Sequence, residues 1–144
     1  MGYPDKNAEV EILNRFLSDN PITELGSVCK KQDIIDMKKQ AKEVYIHPAL
    51  IEYIAELAGA TRKLSDVAIG ISPRGSIAMV NAAKAYAYVK GRDYVVPSDI
   101  KELSVCVWAH RLVFGTGIVS KDGRAQAVNS AFAQVAVPTE EWTK

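Results

Sequence analysis

The chain has 144 residues, 48% hydrophobic and 24% charged, a balance suited to one ordinary globular domain that buries roughly 70% of its extended surface on folding. A count of 18 Lys and Arg against 17 Asp and Glu leaves a formal charge of +1, which argues against a protein whose main work is gripping a phosphate backbone. No apolar run approaches the length of a membrane span, and the polar start from Met1 to Asn7 lacks the charged and greasy halves of a signal peptide, so a cytoplasmic chain is expected.

Five helical segments stand out in chain order. The first is expected over about Asp5 to Leu17, where Val10, Leu13, Phe16 and Leu17 return to one face and Asp19, Asn20 and Pro21 mark the end. A turn-rich stretch around Thr23 to Ser27 precedes a second helix over Asp33 to Lys42, with Ile34, Met37 and Ala41 on one side and Lys38, Lys39 and Lys42 solvated on the other. The third opens at Pro48 and carries Leu50, Ile51, Ile54, Leu57 and Ala58 before Gly59 and Thr61 loosen it.

The fourth and clearest helix follows Pro73 and runs through Ile77, Val80, Ala83, Ala87 and Val89 to a stop at Gly91. Ala78, Ala82, Ala83, Ala85 and Ala87 leave little bulk, so neighbouring helices should approach closely. A fifth begins near Pro97 or Ser98 and buries Ile100, Leu103, Val107 and Trp108; Phe114 to Gly123 reads as loop, and Ala125 to Gln134 as a further short helix. Two extended triplets, Val44-Tyr45-Ile46 and Tyr94-Val95-Val96, each run into a helix-opening proline and are expected to pair as a very small sheet, with Val135-Ala136-Val137-Pro138 a third such piece. The fold class is therefore all-α, a small bundle of five to six helices, read as one domain over 1–144 with a helical core of about 5–112 and an extension over 113–144.

Cys29 and Cys106 stand far apart without a CxxC, so a zinc site with His47 and His110 is disfavoured and two reduced thiols, at least one buried, are expected. His47, just before Pro48, is placed to cap a helix, and both histidines read as structural.

The segment Gly70-Ile71-Ser72-Pro73-Arg74-Gly75-Ser76 carries the strongest chemical signal. Its glycines have the spacing of GxxxxGK[ST], but Ser76 replaces the phosphate-binding lysine and Ile77 the magnesium-binding hydroxyl, which rejects a phosphate loop of that type. What remains is an arginine in the first turn of a proline-started helix, where terminal backbone amides, the helix dipole and a planar guanidinium all suit an anion. On these residues alone, a surface arginine on a capped helix is the favoured reading.

Together with Ala82-Ala83-Lys84-Ala85, the run from Gly91 to Ile100 and His110-Arg111-Leu112, this segment resembles the lid region of MoxR-family AAA+ ATPases. Ala60-Thr61-Arg62 and Gly2-Tyr3-Pro4-Asp5 also match. The resemblance implies a C-terminal lid whose nucleotide-binding core, with Walker A, Walker B, sensor 1 and arginine finger, lies elsewhere in the polypeptide. Arg74 then takes the sensor 2 role toward ATP, with Ser72, Pro73 and Gly75 lining that contact and magnesium entering through the core. A ring, typically hexameric, chaperone-like remodelling or cofactor insertion, and a partner with a von Willebrand factor A domain are further implications.

The sequence departs from the family pattern at Gly75, where alanine is common, and at Val96, where a capping threonine is usual, so Ser98 or a frayed start should compensate. Arg92 and Asp93 are expected to shape the turn after Gly91, and His110-Arg111 to tie the fifth helix to the bundle, while Arg62 faces either the core or a neighbouring subunit. No residue offers an identifiable nucleophile with a base, so no turnover and little ATP binding are expected from this chain alone. A helical protein-interaction module and a helix-turn-helix-like nucleic-acid binder are the competing readings, the second disfavoured by charge.

Overall fold

The computed structural model describes residues 2–17, 20–115, 117, 119–139 and 142, so the expected helix stop at Asp19 lies outside the described residues. The chain divides into two compact units, Met1–Ile34 and Ile35–Lys144. In the first, helix α1 (Lys6–Arg15) starts at Asp5, whose Oδ1 accepts the Ala8 N–H at 2.9 Å, and a 3-10 turn follows at Pro21–Glu24. Within this unit its apolar face is left uncovered: Leu13 is 61% exposed and Leu17 78%, and α1 buries none of its residues. Periodicity identifies a face without saying what covers it.

Helix α2 spans Lys31–Glu43, with Lys38, Lys39 and Lys42 exposed as expected. Its apolar side is no better covered, since Ile34 and Met37 are also exposed. Next comes α3 (Pro48–Thr61), which the His47 side chain caps by accepting the Ala49 N–H at Nδ1, 3.2 Å away. The remaining helices are α4 (Pro73–Val89), α5 (Pro97–Trp108) and α6 (Lys121–Phe132).

The core is built from Leu50, Tyr53, Ile54 and Leu57 of α3, Met79, Ala83 and Ala87 of α4, Ile100 and Trp108 of α5, and Val128 of α6. Along α4 the buried positions are Gly75, Met79, Ala83 and Ala87, a four-residue repeat that lays one stripe along the helix. Three of the four are glycine or alanine, so α5 packs closely along this stripe. The same repeat corrects two expected core residues, because Ile77 and Val89 each stand two positions from the stripe, about 200° round the helix, and both are exposed. Ile51, one position after buried Leu50, is likewise half exposed. The Tyr53 ring lies edge-on to Phe132 of α6, centroids 6.2 Å apart, and burial raises the pKa of its phenol, which stays neutral.

Two short strands join the α3–α4 connection to the segment that follows α5. β1 (Val67–Ile69) pairs antiparallel with β2 (Val113–Phe114), with Val67 opposite Phe114 and Ile69 opposite Val113. Neither was anticipated, since segments of three and two residues are too short to show alternation. The expected sheet between 44–46 and 94–96 reduces to one parallel bridge: Tyr45 N–H donates to the Asp93 carbonyl at 2.7 Å and Val95 N–H to the Tyr45 carbonyl at 3.0 Å. Val135 to Pro138 form no strand.

The core also runs past residue 112. Ser120 Oγ accepts the Gly123 N–H at 3.1 Å, which starts α6 at Lys121 rather than Ala125, shortens the expected loop and brings Val128 and Ala131 to full burial. Both cysteines are exposed, against the expectation that one is buried; Cys106 stands two positions before buried Trp108 and so faces outward. No helix among the described residues is long and apolar enough to cross a membrane.

Candidate functional site

The site is the junction between the end of α3 and the first turn of α4. Thr61, fully buried in the last turn of α3, donates its hydroxyl proton to the Ala58 carbonyl at 2.7 Å and accepts the Ile71 N–H at 3.0 Å. Arg62 Nε donates to the Ile71 carbonyl at 2.8 Å. Both backbone polar groups of Ile71, whose side chain is buried, are therefore satisfied by the last residue of α3 and the capping residue that follows it. Gly70 makes this approach possible, since a Cβ there would lie 2.7 Å from Arg62 Cγ and 2.8 Å from Arg62 Cα.

On the other side, Ser72 starts α4. Its carbonyl accepts the Gly75 and Ser76 N–H groups at 2.8 and 3.1 Å, while its Oγ makes only a long contact of 3.4 Å with the Gly75 N–H. Gly75 is buried, and its carbonyl accepts the Trp108 Nε1–H at 3.0 Å. A Cβ at Gly75 would stand 2.7 Å from Ile71 Cγ2, so this turn and the preceding loop interlock. Arg74 thus projects from a turn held by α3 at Ile71 and by α5 at Gly75.

Arg74 itself is exposed, and among the described residues its side chain makes no hydrogen bond or ion pair. Pro73 has no N–H, and the Gly75 and Ser76 amides already serve Ser72. The capacity to hold an anion therefore rests on the Arg74 guanidinium and its own amide more than on a ring of free terminal amides. Arg111 lies beside the same turn: its Nε donates to the Val107 carbonyl at 3.0 Å, and its Cδ lies 3.6 Å from where a Gly75 Cβ would stand. Among the described residues neither Arg62 nor Arg111 pairs with a carboxylate, so three exposed arginines share one loop and helix start without neutralisation.

Arg92 behaves differently. Its Nη2 and Nη1 donate to Asp99 Oδ1 and Oδ2 at 2.6 and 2.9 Å, and Nη1 also reaches the Tyr94 carbonyl at 3.0 Å. The Asp99 hydrogen bond raises the Arg92 pKa further, against a smaller lowering by burial. Asp99, 3% exposed, also accepts the Val96 N–H at 2.9 Å. Asp99, and not Ser98, therefore compensates for valine at the start of α5, by reaching back from the third helical position. Arg92 shapes the turn after Gly91 as expected, and Asp93 joins through its carbonyl to Tyr45.

Reading the sequence singled out the segment from Gly70 to Ser76 with its Arg74 but missed the hydrogen bonds made by Thr61, Trp108 and Asp99. Ala60-Thr61-Arg62 signalled Thr61 as part of a motif; its hydroxyl's partner is ten residues away and invisible in spacing. No group of three or more His, Cys, Asp or Glu side chains among the described residues is placed to hold a metal ion.

The AAA lid domain family matches residues 59–138, more than half of the chain, so the chain belongs to that family. Relatives of the chain include proteins named MoxR. The chain is 36% identical over 97% of its length to the YeaC protein of Bacillus subtilis, covering 44% of that protein, and 32% identical over 96% to "Chaperone MoxR1" of Mycobacterium tuberculosis, covering 39%. Among solved structures, a "putative ATPase" of Cytophaga hutchinsonii superposes with a TM-score of 0.82 at 28% identity, over 96% of this chain and 45% of that one. The chain thus spans less than half the length of these relatives.

Proposed function

We propose that this chain is the C-terminal lid of a MoxR-type AAA+ ATPase, all of 1–144 acting as one lid domain, and that Arg74 serves as its sensor 2 residue. The observation that carries this reading is Arg74 standing exposed and unpaired on the first turn of α4, while both sides of that turn are fixed by α3 and α5. ATP, bound chiefly by the core domain with its magnesium, is the substrate, and its phosphates are the anion that the guanidinium meets when the lid closes. Ser72, Pro73 and Gly75 hold the arginine at the helix start.

An arginine presented to a transferring phosphoryl group is worth on the order of a thousandfold in rate, about 4 kcal/mol. Sharing one ligand between two domains also lets the nucleotide select the closed arrangement and its hydrolysis release it. Alone, the chain holds only half of such a site, so it binds ATP weakly and turns none over. The complete protein works in the cytoplasm as a ring, hexameric by family pattern, that remodels clients or inserts cofactors alongside a partner bearing a von Willebrand factor A domain.

The test is Arg74→Ala in the complete polypeptide. Loss of ATP turnover, of nucleotide affinity or of both is expected; wild-type values for both remove Arg74 from the mechanism.

A further inference from the structure

We propose that Thr61 and Arg62 are positioning residues for Arg74, a two-point clamp from the end of α3 that fixes where its guanidinium can reach. The inference rests on the reading of Arg74 given above and adds residues to it. Ile71 is three positions before Arg74 and directly before the helix-starting Ser72, so the path of its backbone sets the direction in which α4 begins. Its N–H goes to Thr61 Oγ1 and its C=O to Arg62 Nε, at 3.0 and 2.8 Å. Two bonds of opposite polarity from adjacent residues fix both the position of the Ile71 unit and its rotation about the chain, which a single bond leaves open.

Thr61 Oγ1 is itself held, because its proton is donated to the Ala58 carbonyl, leaving lone pairs aimed at Ile71. A fully buried hydroxyl with both functions satisfied is a rigid support. Gly70 seals the arrangement by letting the loop backbone rest against Arg62. Catalytic geometry is sensitive at this scale, since displacing a group by about 1 Å can cost on the order of a hundredfold in rate.

The experiment is a double-mutant cycle on ATP turnover in the complete polypeptide, measured well below each variant's melting temperature. Thr61→Val, which keeps the shape and removes the acceptor, is expected to lower kcat by about tenfold or more, and Thr61→Ser to restore turnover to within about twofold. On an Arg74→Ala background, Thr61→Val should cost nothing more, because the group it positions is gone. Arg62→Lys, a change at an exposed residue that removes the Nε donor, runs through the same cycle should Thr61→Val fail to fold.

Wild-type turnover in Thr61→Val and Arg62→Lys, or losses that multiply with that of Arg74→Ala, overturns the clamp while leaving Arg74 in place. An Arg74→Ala protein with unchanged turnover and affinity instead removes the role of Arg74, and the clamp with it.

Discussion

Helix α4 carries an arginine near each end, and their surroundings are opposite. Arg92, just past the C-terminal end, is gripped by both oxygens of Asp99 and by the Tyr94 carbonyl, so its charge serves to join the α4–α5 turn to the start of α5. Arg74, in the first turn, has its backbone fixed from both sides and its side chain left in water. One guanidinium is a structural tie and the other is kept available. The same chemical group is thus tied down or left free according to whether the neighbouring residues supply a carboxylate.

Five substitutions in this chain, read by thermal or urea unfolding, press on that contrast. The largest effect is expected from Trp108→Ala, at about 3–5 kcal/mol, because it empties a fully buried site and removes the donor to Gly75 beneath Arg74. Asp99→Ala should follow at about 2–3 kcal/mol: it strands Arg92 and uncaps α5, but the Arg92 side chain is 27% exposed and water recovers part of the loss. Since the pKa of Arg92 is raised, its share of this stability is fully present below the ordinary arginine pKa and is lost only in strongly alkaline solution; a Tm loss at mildly alkaline pH confined to the wild type and absent from Asp99→Ala would contradict the assignment.

Gly70→Ala should cost about 1–3 kcal/mol through its clash with the Arg62 backbone. Gly59→Ala, inside α3 with nothing near its Cβ position, serves as the control and should be neutral or stabilising by up to about 1 kcal/mol. The smallest effect belongs to Arg74→Ala, within about 0.5 kcal/mol of wild type. If Arg74→Ala unfolds as readily as Asp99→Ala, the two arginines are not different in kind and the comparison fails.

The helices themselves were legible because their signals are local. Pro48, Pro73 and Pro97 each stand at the first position of a helix, and the apolar spacing of α3 and α5 selects their buried faces. The site was legible as a motif for the same reason, since Gly70 to Ser76 puts an arginine at a helix start wherever that helix packs. Other features depend on partners distant in sequence. The pairing of β1 with β2 and the burial of α6 follow from which surfaces meet, and the short strands carry too few residues to announce themselves.

By itself, the sequence determined an all-helical chain, the boundaries set by its prolines and the presence of Arg74 beside a helix terminus, because backbone stereochemistry and residue spacing act within a few positions. Only the tertiary structure decided that Arg92 is neutralised and Arg74 is not, and that Thr61 and Arg62 hold the loop between them. Whether a charge is used or left free depends on what stands within a few ångströms of it, and for Ile71 those neighbours come from the end of α3.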